Sequence, residues 1–221
     1  MVNMSARWAD RPPIWGMSDK MLARLMPLAL AACLAASAAI AQNAPPTRIR
    51  GTIAGVEGNT LSVTTRDGPK VEVILNDPLT VSTVKKVDLA DIKPNTYIGI
   101  ATRGGANGEM TAIEVLVFPE AMRGAGEGHY PWDLEPGSMM TNGTVTGTVE
   151  AMLGRELTLS FKGSSNKIVV PPSVPIVTFA PAERADLKSG AKVMFGATKN
   201  AEGKLAASRV TVEKDGVAPP M

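Results

Sequence analysis

The chain has 221 residues, 23 of them Lys or Arg and 21 Asp or Glu, with one histidine, one cysteine and only 4% aromatic side chains. So even a charge balance excludes the basic footprint of a nucleic-acid or anionic-lipid binder. With Cys33 as the sole thiol there is no intrachain disulfide and no multi-cysteine metal site, so hydrophobic cores must supply the stability.

The first element is an address. Residues 21–42 read MLARLMPLALAACLAASAAIAQ, with Arg24 as a positive flank, Leu25 to Ala38 as an apolar run and Ala39-Ile40-Ala41 as a small-x-small cleavage pattern. That layout predicts a secretory signal peptide over 1–41, with translation starting at Met1 or, since the leading stretch is long, at Met17 or Met21. A membrane span needs roughly 20 continuous apolar residues, and this run is shorter and broken by Pro27. Leu30 to Cys33, LAAC, also reads as a lipobox that would lipidate Cys33, although the chain stays apolar beyond it, where a lipoprotein turns polar. Residues 1–41 hold Arg7, Arg11, Lys20 and Arg24 against Asp10 and Asp19, so 19 basic and 19 acidic side chains remain after Ala41. The processed protein is expected to be neutral overall and periplasmic.

The remainder is a duplication, which is the first thing to seek in a chain of this kind. GTIAGVEGNTLSVT (51–64) aligns without gaps on GTVEAMLGRELTLS (147–160), KVEV (70–73) on KIVV (167–170), and DPLTV (77–81) on VPIVT (174–178). ADIKPN (90–95) aligns on ADLKSG (185–190), and NGEMTAIEVLV (107–117) on EGKLAASRVTV (202–212). Each copy reads as short strands separated by turn residues. TLSVTT (60–65) alternates, with Leu61 and Val63 on one face, between GN and RDG turns. KVEVIL (70–75), TYIGIATR (96–103) and EMTAIEVLVF (109–118) are further strands. KKVDLADIKPN forms one helical turn with Leu89 and Ile92 inward.

Three strands, a helical turn and two strands in so short a segment predict a sheet that curls on itself to remove its edges. The expected fold is mainly β: two tandem five-stranded OB-like barrels, 45–118 and 142–214, each with one short helical turn, after the signal segment and before a tail at 215–221. An SH3-like barrel is the rival. On the RGTIAGVEGNTLSV and ADIKPNTYIGI patterns the chain resembles exported bacterial proteins built from tandem OB-like repeats and catalogued as a domain of unknown function. The resemblance covers roughly 45–118 and 142–214, and it implies a fold rather than a chemistry.

Between the copies lies a Gly/Pro-rich linker, 119–141, too rich in glycine and proline for continuous helix or strand. It gathers His129, Tyr130, Trp132, Leu134, Met139 and Met140, with Met122 just ahead. Loops of this length are functional or disordered, and Tyr130, Trp132 and Leu134 offer apolar surface that argues against disorder. One expectation is a clasp, with Tyr130 and Trp132 packed in the seam between barrels and the methionines filling gaps. A second is a soft-metal site for copper or silver ion using His129, Met139, Met140, Met122 and Trp132, since thioether and imidazole suit Cu(I). That inventory is similar to the periplasmic copper- and silver-carrying chaperones of efflux systems, small OB-like barrels with one His, two Met and one Trp, although those ligands sit on strands. A third is docking of an envelope partner through Trp132.

One histidine without a second fixed group or a phosphate cradle gives little basis for catalysis, so the chain is not expected to be an enzyme. Aromatics within the repeats fall at apolar strand positions, which leaves no stacking platform for nucleic acid or sugar. The function expected from sequence is an exported, non-catalytic binding or accessory protein whose partner is an envelope protein or a small ligand. The alternatives are the soft-metal protein and the structural docking protein.

Overall fold

The computed structural model describes residues 46–104, 108–151 and 154–220. The signal segment, its cleavage site and Cys33 lie outside the described residues. From Pro46 onward the chain is one compact unit, and no helix among the described residues is long and apolar enough to cross a membrane.

The unit is mainly strand, with almost no helix. In chain order these are β1 (Thr47–Glu57), β2 (Thr60–Thr65), β3 (Lys70–Lys86), β4 (Tyr97–Gly104), β5 (Met110–Val117), β6 (Gly128–Pro131), β7 (Met139–Ala151), β8 (Gly154–Phe161), β9 (Ser164–Val170), β10 (Ile176–Pro181), β11 (Lys192–Lys199) and β12 (Leu205–Val212). Single 3-10 turns at Leu89–Asp91, Glu120–Met122 and Arg184–Asp186 are the helical content. The strands form where apolar residues alternate: Leu61 and Val63 in β2, and Leu157, Leu159 and Phe161 in β8, are buried while their neighbours are not. The β1–β2 hairpin turns at Gly58, whose φ of 54° is left-handed backbone that glycine adopts at no steric cost.

Strand pairing departs from the tandem arrangement. β1, β2 and β3 are paired in sequence, but the ring is closed by β12, parallel to β3, and by β11, which joins β12 to β1. The result is a closed five-stranded barrel around Ile53, Leu61, Val73, Leu75, Val193 and Val210. β7, β8 and β9 are likewise joined in a ring with β5, parallel to β9, and β4. Its interior holds Ile98, Ile100, Val115, Leu157, Leu159 and Ile168. Each ring therefore takes its first three strands from one copy and its last two from the other. The segments 45–118 and 142–214 do not close separately; they interleave.

The physical reason lies in β3. The sequence predicts a strand ending at Leu75, yet β3 runs on to Lys86, and its second half pairs antiparallel with β10, Val84 facing Phe179. The chain thus crosses over along β3, and Val87 and Leu89 pack on the second core. β10 carries the chain back the other way, parallel to β5 on one side, so that Ala182 packs on the first core.

Interleaving makes a direct prediction. A protease site inserted between the exposed Pro136 and Gly137 would divide the chain into one piece with β1–β6 and one with β7–β12. After cleavage the pieces are expected to co-elute as one species in gel filtration under native conditions. Two separately eluting, folded halves would contradict the pairing.

Candidate binding cavity under the clasp

The linker is less irregular than its glycines and prolines predict. β6 pairs antiparallel with the start of β7, in the register His129–Thr141, Tyr130–Met140 and Pro131–Met139. Ser138 staples the turn between them: its hydroxyl donates to the Glu135 carbonyl at 2.7 Å, and its carbonyl accepts from Trp132 N–H at 2.8 Å. Because facing residues share a face and successive ones alternate, the hairpin divides the predicted metal set. Tyr130, Trp132 and Met140 share one side. His129 and Met139 share the other, and Met122 stands apart in a 3-10 turn.

His129 is exposed and already engaged, with Nδ1 2.8 Å from Thr141 Oγ1 and 3.2 Å from Asn166 Nδ2, and its ring stacked 6.3 Å from Phe161. The hairpin therefore brings together Trp132 and Met140, which line one cavity, and does not bring His129 or Met122 to them. Among the described residues no group of three or more His, Cys, Asp or Glu is placed to hold a metal ion.

Four arginines hold the turn. The Arg48 guanidinium lies over the Trp132 ring, 3.7 Å from its centroid, so the indole face that a soft cation would cover carries an internal cation already. Asp133 accepts from Arg48 at 2.7 Å and from Arg50, whose side chain is only 3% exposed. Arg66 donates to the carbonyls of Asp133 and Leu134 at 2.9 and 3.1 Å. From the other ring, Arg103 of β4 forks onto Glu135 at 2.8 and 3.0 Å. Burial pushes the Asp133 carboxyl up, but the hydrogen bond and charge of Arg50, joined by Arg48, outweigh it and hold the group below its ordinary value.

Beneath the hairpin lies a cavity of about 190 Å³. Its walls are apolar and aromatic: Phe118 and Phe179, with ring centroids 6.2 Å apart, Trp132, Met140 and Met194. Two polar side chains reach it, Glu114 of β5 and Asn142 of β7, and the tail closes one end with Pro220, whose carbonyl accepts from Arg50 Nε at 3.1 Å. Asn142 is 5% exposed. Its amide donates to the Ala125 carbonyl at 3.2 Å and lies 3.1 Å from Tyr130 Oη, which fixes Oδ1 as the opposite end, and Oδ1 is buried with no partner. The Trp132 indole N–H is buried and unpartnered too. Glu114, 8% exposed, makes no side-chain hydrogen bond or ion pair with any described residue. Burial pushes its carboxyl up to about 7, with the charge of Arg50 pulling the other way.

A larger concavity of about 650 Å³, along Pro171–Pro175 and Gly216–Ala218, holds no buried unpartnered side-chain atom. Arg48, Arg50 and Glu114 were not among the residues the sequence marks for function. The available signals were TRIR, two arginines on one face of β1, and a single carboxylate in the otherwise apolar run AIEVLVF.

Comparison with protein-family models, with curated proteins and with solved structures finds no match to this chain.

Proposed function

We propose that this chain is an exported, non-catalytic binding protein of the bacterial periplasm, built as two OB-like barrels that exchange strands, with its ligand site in the cavity under the hairpin. The OB-like reading rests on ring order: first, second, third, fifth and fourth strands, with third and fifth parallel, a five-stranded Greek-key barrel. Export rests on the layout of residues 21–42, and so does the resemblance to exported tandem-repeat proteins on the repeats themselves. The observation that carries the binding reading is the set of unpaired polar groups around an apolar cavity. A buried donor or acceptor without a partner costs about 1–3 kcal/mol, and Asn142 Oδ1 and the Trp132 indole N–H are both in that state beside Glu114. A ligand that satisfied them would recover that cost, and a cavity of about 190 Å³ suits a single ring, since an apolar cavity of about 150 Å³ holds benzene.

Trp132 is the sole tryptophan beyond Trp15, so its emission in the processed protein reports on the site. Titration with benzyl alcohol is expected to change that emission saturably, at one equivalent, and to raise Tm. Ala101→Leu, which adds bulk to a cavity wall, is expected to remove the response while leaving a cooperative melt. An unchanged emission and Tm up to the solubility limit would overturn the reading.

A further inference from the structure

We infer that the ligand of this cavity is a small organic cation, a single-ring or short-chain amine, with its ammonium group held by Glu114 and Asn142 against the aromatic walls. The inference rests on the cavity being the binding site and adds the class of molecule. An ammonium carries three donors and no acceptor. The two nine-tenths-buried polar side chains that line the cavity without a partner there present acceptors: the Asn142 Oδ1 and the Glu114 carboxyl. Phe118, Phe179 and Trp132 supply ring faces, which attract a cation most strongly where water is excluded. The indole N–H of Trp132 calls in addition for one acceptor oxygen on the ligand.

The surrounding charges favour the same sign. From β1, Arg50 faces Glu114; Asp133 and the Pro220 carbonyl take two of its nitrogens while Nη2 stays buried without a partner, and Arg48 is claimed by Asp133. From β4, Arg103 is claimed by Glu135 of the turn. Glu114 is the one carboxylate of this group left without an ion pair. An anionic ligand would meet that carboxylate with no free arginine lining the cavity. A neutral ligand would leave a charge buried above neutral pH, which is costly.

The test compares three probes of one size and shape on the processed protein: benzylamine, benzyl alcohol and benzoate, followed by Trp132 emission and calorimetry. At about pH 8 benzylamine is expected to bind at least about tenfold more tightly than benzyl alcohol, and benzoate not at all. An aliphatic ammonium stays charged from about pH 6 to 8 while Glu114 ionises, so benzylamine affinity is expected to rise about tenfold across that range and that of benzyl alcohol not to rise. Glu114→Gln, which keeps shape and removes the charge, is expected to abolish the benzylamine preference over benzyl alcohol and its pH dependence. Equal affinities for amine and alcohol, or a preference for benzoate, would overturn the ammonium assignment and leave the cavity as the site. Silence from all three probes would overturn the cavity reading as well.

Discussion

Asp133→Ala is expected to lower the unfolding free energy by about 3 kcal/mol, because it strands a buried guanidinium rather than deleting a surface contact. Arg50 is 4% exposed, and among the described residues Asp133 is its only carboxylate partner. Arg48→Ala is the control: Arg48 is 34% exposed on its side chain and bridges the same carboxylate, so its loss should cost about 1 kcal/mol, the sum of a surface ion pair and a cation–π contact. For a unit of this size about 3 kcal/mol corresponds to a fall in Tm of roughly 6–12 °C. Urea melts of the two variants side by side measure the difference. Equal losses would mean that water, not Asp133, satisfies Arg50. The ion pair also has a pH signature. The Asp133 carboxyl is held below its unfolded value, so its contribution is present above the unfolded pKa of about 3.9 and is lost as pH falls through the folded one.

Glu114→Gln is expected to act with the opposite sign and in a different window. The folded carboxyl titrates at about 7 against an ordinary value of 4.5. Between those values the native state holds a proton that the unfolded chain has released, so wild-type stability falls as pH rises from about 4.5 to 7. Above about 7 the penalty is constant, on the order of 3 kcal/mol at 1.36 kcal/mol per pH unit. Glutamine cannot ionise, so the variant should match wild type at about pH 4 and exceed it by on the order of 3 kcal/mol at about pH 8. Denaturation at several pH values gives the two curves, and parallel curves would show that Glu114 is solvated. A destabilising carboxylate kept in a cavity is held at the expense of the fold, as is common at functional sites.

How much of this was legible follows from what alternation and turn residues encode. The strands of β2, β4, β5 and β8, the helical turn with Ile92 buried and the duplication are all written in short-range pattern. Strand exchange is not, because both copies offer the same edges: β3 can meet β5 or β12 with equivalent residues, and periodicity does not say which copy supplies the partner. The deciding feature is the continuation of β3 through NDPLTVSTVKK, where a proline and an acidic residue look like a break. At the linker, composition marked Tyr130, Trp132 and Leu134 as candidates for packing between barrels or docking a partner. It gave no sign that arginines on β1 would cover the indole. Met194, which joins Met140 in the cavity wall, sits 54 positions further along and was invisible to any local reading.

The exchange also sets a timetable for the chain's birth. The ring of β4, β5, β7, β8 and β9 can close once Val170 is made, whereas β1 to β3 emerge first and the ring they begin cannot be sealed until the final strand, ending at Val212, is available. Until then β1 and β3 show bare edges ready to pair with whatever comes near, and the sealing contacts span most of the polypeptide, a slow kind of search. The first-started ring thus stays open while the chain is being made or threaded, and is the last to close.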